Sequence, residues 1–247
     1  MADPFLLSRM KFHLGEAKNC LDVGSGTGNY TIALSESGIQ MTGVEPSDVM
    51  IEKARSKSDE VDWIQGTAEE FKLDRQFESG LASLTLHHWR DIERGIANLQ
   101  NHLLPGAPLV IFTSSPEQME TYWLREYFPK MLKDSSDAMP SISEVVTALE
   151  KAGFSDFIHE KYFVKPDLKD QFLQCGKDQP ELYFREDIRK GISSFQSFSY
   201  ADEIESGLAQ LRSDIDSGKW KDIRNQYNSD LGDYSFIIAT NKSRAIQ

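Results

Sequence analysis

Short apolar runs, each closed by polar residues or glycine, alternate along this chain with stretches whose apolar residues recur every three to four positions. The runs predict strands: one ending at Asp22, then 40–45, 61–65, a run beginning at Phe77, 104–112 (a Pro-Gly turn feeding a buried strand), 154–164 and 233–240. Between them, 90–102 predicts an amphipathic helix with Ile92, Ile96, Leu99 and Leu103 on one face, and 143–151 a helix stopped by Gly153. Strands alternating with helices imply right-handed crossovers and a mostly parallel sheet covered on both faces.

Two stretches exceed that alternation. Residues 114–139 carry Tyr122, Trp123, Tyr127 and Phe128 in a helical stretch. The last two strands are separated by 166–231, far longer than an ordinary connection. This insert reads as helical and holds Phe172, Tyr183, Phe184, Phe195, Phe198, Tyr200, Trp220 and Tyr227. Leaving the sheet near its carboxyl edge, the two stretches read as one composite lid, most of whose aromatics pack the insert's own core and a few of which line a substrate chamber. The expected organisation is therefore an N-terminal cap segment 1–17, a core 18–165 with the insert 114–140, a lid 166–231 and a final strand and tail 232–247.

Composition narrows the class. The 247 residues, 39% hydrophobic, suffice for one sizeable core plus a small lid. A formal net charge of −12 without a long Lys/Arg cluster argues against wrapping duplex nucleic acid. Two cysteines, Cys20 and Cys175, make neither a disulfide framework nor a metal-ligand spacing, so no metal is expected, and Cys20 reads as a buried strand residue. With an early acid and no run of 18 apolar residues, a soluble cytoplasmic protein without a membrane span is the expectation.

The chemistry concentrates in residues 20–28, Cys-Leu-Asp-Val-Gly-Ser-Gly-Thr-Gly. Gly24, Gly26 and Gly28 suit a tight strand-to-helix turn that a ligand can approach closely, with the helix's free N–H groups pointing back at it. A dinucleotide loop needs glycine at its sixth position, where Asn29 stands. The carboxylate of Asp22 would repel a pyrophosphate and suits a cationic or amine-bearing ligand. Glu45 closes the next strand, where one carboxylate can accept from two ribose hydroxyls; a solvated strand-end acid is the alternative. Pro46, Ser47 and Asp48 then start a helix that brings Met50 near the loop, for an adenine face or for the core.

These residues resemble motif I and the second-strand acid of the class I S-adenosylmethionine (SAM) methyltransferases. Two further segments extend the resemblance over about 18–113: Gly66-Thr67-Ala68-Glu69-Glu70 after the third strand, and Phe77 to Asp91 with its Leu-His-His-Trp ending, similar to the type 11 group. Thr67 stands where relatives carry Asp, and Glu78 where Asp is usual. The resemblance implies an α/β, Rossmann-like fold with a seven-stranded, mostly parallel sheet, an antiparallel last strand and a helical lid. It implies SAM as cofactor, S-adenosylhomocysteine as product, and a cofactor site built from Asp22, Gly24, Ser25, Gly26, Thr27, Gly28, Glu45, Pro46, Met50, Thr67, Ala68, Glu69 and Ser83. Glu69 and Glu70 also fit first-turn acids favoured by a helix dipole.

Methyl transfer needs alignment and exclusion of water, and a base only when the acceptor keeps its proton. His87 and His88 follow strand four and are the base candidates; His88, if charged, could instead hold a carboxylate, and the pair could simply shape the wall. His102 and His159 read as surface residues. Ser83 replaces the Asn or Asp of amino-methylating members, and no Asn-Pro-Pro-Tyr sequence is present. The expected function is methylation of a small organic acceptor, with O-methylation favoured and a carboxylate or a phenol- or quinol-like group as acceptor, by a monomer or homodimer. The alternatives are a SAM-binding regulator or inactive partner, a tRNA or protein methyltransferase, and a nicotinamide oxidoreductase, which Asn29 disfavours.

Overall fold

Nearly continuous burial along the central runs, as a sheet covered on both faces requires, brings them together in one sheet. The structure, a computed structural model, describes residues 1–242. The end of the expected tail, 243–247, and the side chain of Phe198 lie outside the described residues. The chain forms two units. The first comprises 1–113, 140–160 and 235 onward, and the second 114–139 and 161–234.

In the first unit, α1 (Pro4–Leu14) precedes β1 (Asn19–Val23), α2 (Asn29–Glu36), β2 (Gln40–Glu45), α3 (Asp48–Arg55), β3 (Asp62–Gln65), β4 (Gly80–Ser83), α4 (Ile92–Asn101) and β5 (Pro108–Thr113). The short α5 (Pro116–Glu120) and α6 (Pro129–Asp137) belong to the second unit, after which α7 (Ile142–Ala152), β6 (Phe154–Tyr162) and β7 (Tyr234–Asn241) complete the sheet. The strand order is β3-β2-β1-β4-β5-β7-β6. β1 to β5 pair in parallel, and β7 runs antiparallel to β5, with Phe112 opposite Phe236. This is the Rossmann-like sheet of seven strands that the sequence predicts. Leu21, Val44, Ala82, Leu109, Ile111 and Ile237 form one core with Ile96, Leu99, Val145 and Leu149 of α4 and α7. At about 25 cal/mol per Å² of apolar surface removed from water, burial on this scale is the main force holding the sheet to its helices.

Local chemistry shifts several predicted ends. The helix expected from residue 90 starts at Ile92, because the Asp91 carboxylate accepts from the Arg94 amide at 3.0 Å and caps it. The run 104–112 keeps its expected form, a turn through Gly106 (φ +83°) that becomes strand at Pro108. The segment 1–17 holds an eleven-residue helix capped by Asp3, with Leu6, Met10 and Leu14 buried and β5 and α2 as neighbours. His102, expected at the surface, is half-buried: its Nε2 accepts from the Leu73 amide at 3.2 Å, and its ring lies 4.6 Å from Phe71. His159 is exposed, as expected.

The second unit is helical only in part. The stretch 163–179 contains no helix; helical turns begin at Pro180–Phe184, followed by α8 (Glu186–Lys190), α9 (Ala201–Asp216) and α10 (Lys219–Gln226). Its own core gathers Tyr122, Trp123, Tyr127, Phe128, Tyr183, Phe195 and Leu211, with Phe184, Tyr200, Trp220 and Tyr227 packed against them. Phe172 meets Tyr234 edge to face. Buried polar ends find partners: Tyr122 and Tyr183 join hydroxyls, Tyr183 donates to the Leu173 carbonyl at 2.6 Å, and Tyr127 donates to Asp214 at 3.1 Å.

Candidate functional site

Four strand ends, β1, β2, β3 and β4, feed the loops that carry the predicted site. Val23 leads into Gly24, Gly26 and Gly28, with φ of +80°, +56° and +78°. Each glycine is required for a different reason. A Cβ on Gly24 would lie 1.8 Å from the Thr85 hydroxyl, and one on Gly28 would lie 2.4 Å from the Trp63 indole. A Cβ on Gly26 would meet nothing within 4 Å, so here the backbone borders open space. The loop is fastened to β2: the amides of Gly24 and Ser25 donate to the Val44 carbonyl at 2.8 and 3.0 Å.

Glu45 completes the fastening. Its Oε2 accepts from the Gly26 amide and its Oε1 from the Ser47 amide, both at 2.9 Å. A carboxylate oxygen has a second acceptor site, so these bonds orient the group without exhausting it. Pro46 and Met50 stand exposed just beyond, and Ser47 caps α3.

Asp22 lies beneath the loop, 3% exposed. Its Oδ2 accepts from the Thr31 hydroxyl at 2.6 Å, while Oδ1 is buried without any partner. Burial drives its carboxyl up to about 7, against the Thr31 hydrogen bond and with help from the charge of Glu45. A buried acceptor left open is costly to keep, and it marks the place where a ligand's donor is wanted.

Beyond β4, Ser83 is half-buried and Leu84 adopts φ +52°, a strained backbone for leucine. The turn places Thr85 against Gly24, where its hydroxyl also accepts from the Trp89 indole at 3.2 Å. His87 and His88 follow, rings 3.9 Å apart. His87 is half-buried with its Nδ1 buried and unpartnered, and burial followed by the neighbouring His88 holds its imidazole down at about 3. His88 is exposed on one side, yet the protein packed on its other side lowers it too, with the charge of Glu45 pulling the opposite way. Both rings are thus neutral at neutral pH. A charged His88 holding a carboxylate, the alternative role, would have to work against this burial.

The loop after β3 is anchored sideways. The Thr67 carbonyl accepts from Phe71 at 3.0 Å, and the carbonyl of buried Ala68 accepts from Asn98 at 2.9 Å. Glu69 Oε1 accepts from the amides of Arg90 (2.7 Å) and Asp91 (3.2 Å). Burial alone would raise this carboxyl, but those amides, its own and the Thr67 hydroxyl hold it below its usual range. Glu69 therefore serves the start of α4 with one oxygen.

The structure thus brings Asp22, the glycine loop, Glu45 and the Thr85–His88 turn to one edge of the sheet. Sequence reading missed Thr31, Thr85, Trp63 and Lys57. Only Thr31 left a signal, as a hydroxyl in the first turn of the helix after the loop. A shallow depression along β3, lined by Asp62, Trp63, Ile64, Leu73, Asp74 and Arg75, includes none of the predicted residues. Among the described residues, no helix is long and apolar enough to cross a membrane, and no group of three or more His, Cys, Asp or Glu is placed to hold a metal ion.

Comparison with known proteins agrees with this geometry. Residues 21–111 match the family described as a methyltransferase domain. An uncharacterized methyltransferase of Mycobacterium tuberculosis is 32% identical over 111 residues, 44% of this chain and 45% of that protein, so the chain spans less than half of this relative. A crystal structure from Anabaena variabilis, described as a candidate methyltransferase from an antibiotic biosynthesis pathway, is 29% identical with a TM-score of 0.85, covering 97% of this chain and 98% of that one. A SAM-bound phosphoethanolamine N-methyltransferase 2 of Haemonchus contortus, 17% identical with a TM-score of 0.60 over 97% of this chain and 53% of its own, shares the fold.

Proposed function

Because the chain belongs to the class I SAM-dependent methyltransferases, whose cofactor is SAM, we propose that it transfers a methyl group to a small organic acceptor, with oxygen favoured as the methylated atom. The observation that carries the cofactor half is the orphaned Oδ1 of Asp22 beneath a glycine loop open at Gly26.

The residues fit SAM group by group. Asp22 Oδ1 would accept from its ammonium, the open backbone at Gly26 would admit its amino acid portion, and the free acceptor sites of Glu45 would take its ribose diol. Met50 and the Thr67–Ala68 backbone would flank the adenine. When bound, SAM supplies a methyl on a sulfonium that becomes a neutral thioether on transfer. The chain's own task is to hold the acceptor in line and exclude water. A neutral imidazole can accept the proton of a hydroxyl, and His88, more open than His87, is the better placed base. This supports a phenol- or quinol-like hydroxyl over a carboxylate, which would call for a cation.

Calorimetry of SAM and S-adenosylhomocysteine on the wild type and on Glu45→Ala tests the cofactor. We expect micromolar binding, weakened at least tenfold by the substitution. Methyl-labelled SAM with panels of phenols, carboxylates and amines tests the acceptor. Absence of binding sinks the whole reading. Binding with transfer only to amines or carboxylates sinks the oxygen-hydroxyl part, and binding without transfer to any panel favours a SAM-binding regulator.

A further inference from the structure

The glycine loop is clasped from outside by a residue that no motif contains. Lys57, in the turn after α3, donates from Nζ to the Thr27 carbonyl at 2.7 Å, the Thr27 hydroxyl at 3.1 Å and the Asn29 Oδ1 at 3.0 Å. An ammonium has three donors, and here each has an oxygen. Thr27 stands between two left-handed glycines, so the loop's second half has little conformational preference of its own. Asn29 opens α2, whose N-cap, Gly28, offers no side-chain cap. A cation beside a helix N-terminus is disfavoured by the helix dipole, and Lys53 repels it as well. Its position is therefore held by the three oxygens. From the other side, the Trp63 indole fills the space beside Gly28 and is itself tied to the same turn, Nε1 donating to the Ser58 carbonyl at 3.1 Å.

We propose that Lys57 is a positioning residue for the cofactor: with Trp63 it grips the Thr27–Asn29 backbone and fixes the loop in its binding shape, without touching the cofactor. The proposal rests on the SAM reading above. Preorganising a loop tightens binding by removing the ordering cost from the binding step. The ligand is then held more weakly without the clasp, while the fold remains.

Lys57→Met removes the three donors and keeps most of the stem. Two measurements are read together, amide hydrogen exchange of the ligand-free protein and calorimetric binding of SAM and S-adenosylhomocysteine. We expect exchange of the Gly26 and Gly28 amides, which donate to Glu45 and Ser25, to rise about tenfold. Affinity for both ligands should fall by a similar factor, with strand amides of β1 and β2 and the melting midpoint little changed. Asn29→Ala should weaken binding less, and add nothing on top of Lys57→Met. Unchanged exchange and affinity would overturn the proposal, as would a loss of protection spread over the whole unit, which marks a merely structural lysine. If the wild type binds neither ligand, the cofactor reading fails by itself, and exchange at Gly26 and Gly28 still decides whether the clasp exists.

Discussion

Thr85 occupies the space that any side chain on Gly24 would need: a Cβ at that glycine would sit 1.8 Å from the Thr85 hydroxyl and 2.5 Å from its Cβ. Two loops 61 positions apart in the sequence are thereby locked face to face, the glycine turn after β1 and the strained turn after β4.

Gly24→Ala should therefore cost about 3 kcal/mol, combining a left-handed alanine with an overlap that backbone shifts must relieve. Thr85→Gly in the same chain should recover part of that loss and leave the cost of the positive φ. Denaturant unfolding of the four members of this cycle measures it; strictly additive effects would show that the two residues do not interfere.

Asp22 should couple stability to pH in the direction opposite to an ordinary surface acid. Its folded carboxyl is pushed up to about 7 from the ordinary aspartate value of 3.8, so the folded state holds the proton more tightly. Its contribution is fully present below about pH 4 and is lost as pH rises through 7. Asp22→Asn should raise the melting midpoint of the ligand-free protein by several degrees at pH 8 and little at pH 4. The same variant should bind SAM at least tenfold more weakly, since the acceptor offered to the ammonium loses its charge. A variant that melts lower at pH 8 would contradict the assignment of Asp22 as a strained, ligand-directed acid.

His87 carries the opposite sign. Its imidazole is held down at about 3, so its contribution is present above the usual histidine value of 6.5 and is lost as pH falls toward 3. Thermal melts of His87→Gln should be flatter than those of the wild type over this acid range. For the same reason, an acid limb of a pH–rate profile that lies only modestly below the ordinary histidine range should survive His87→Gln and vanish in His88→Gln. A limb abolished by the His87 substitution would transfer the role of base to that residue.

In the second unit, Lys177 Nζ reaches both oxygens of Asp233 at 2.7 Å, and Oδ2 also accepts from the Val164 amide at 2.7 Å. The two side chains are only 15% and 9% exposed. Lys177→Met should cost about 3 kcal/mol by stranding a buried carboxylate, and Lys177→Met with Asp233→Asn should recover part of it. Trp123 and Trp220, 5.6 Å apart in this unit's core, provide the fluorescence signal for its unfolding.

Period and punctuation carried most of the fold. The strand 40–45 was legible to the residue, because its apolar run is closed by an acid and followed by a helix cap at Ser47. Boundaries failed where one side chain decided them, as at Asp91, whereas the turn at Gly106 was legible from its Pro-Gly pair. The helical reading of 166–231 failed over 166–179 because its apolar residues serve the aromatic core without any helical period. Within the site, Asp22, the glycines and Glu45 were readable because their chemistry is local: a strand end, a positive φ, a second strand end.

What the sequence by itself determined is thus the order of the elements, the loop's need for glycine and the acids at two strand ends, all set by residues within a few positions of one another. Only the tertiary structure decided that Asp22 keeps one oxygen unpartnered, that His87 and His88 stay neutral, that Glu69 is tied to the start of α4, and that Lys57 grips Thr27 and Asn29. Each of these depends on burial and on partners about 20 to 30 positions away, or across a turn whose shape no local pattern records, and desolvation and hydrogen-bond geometry exist only once the strands have been placed side by side.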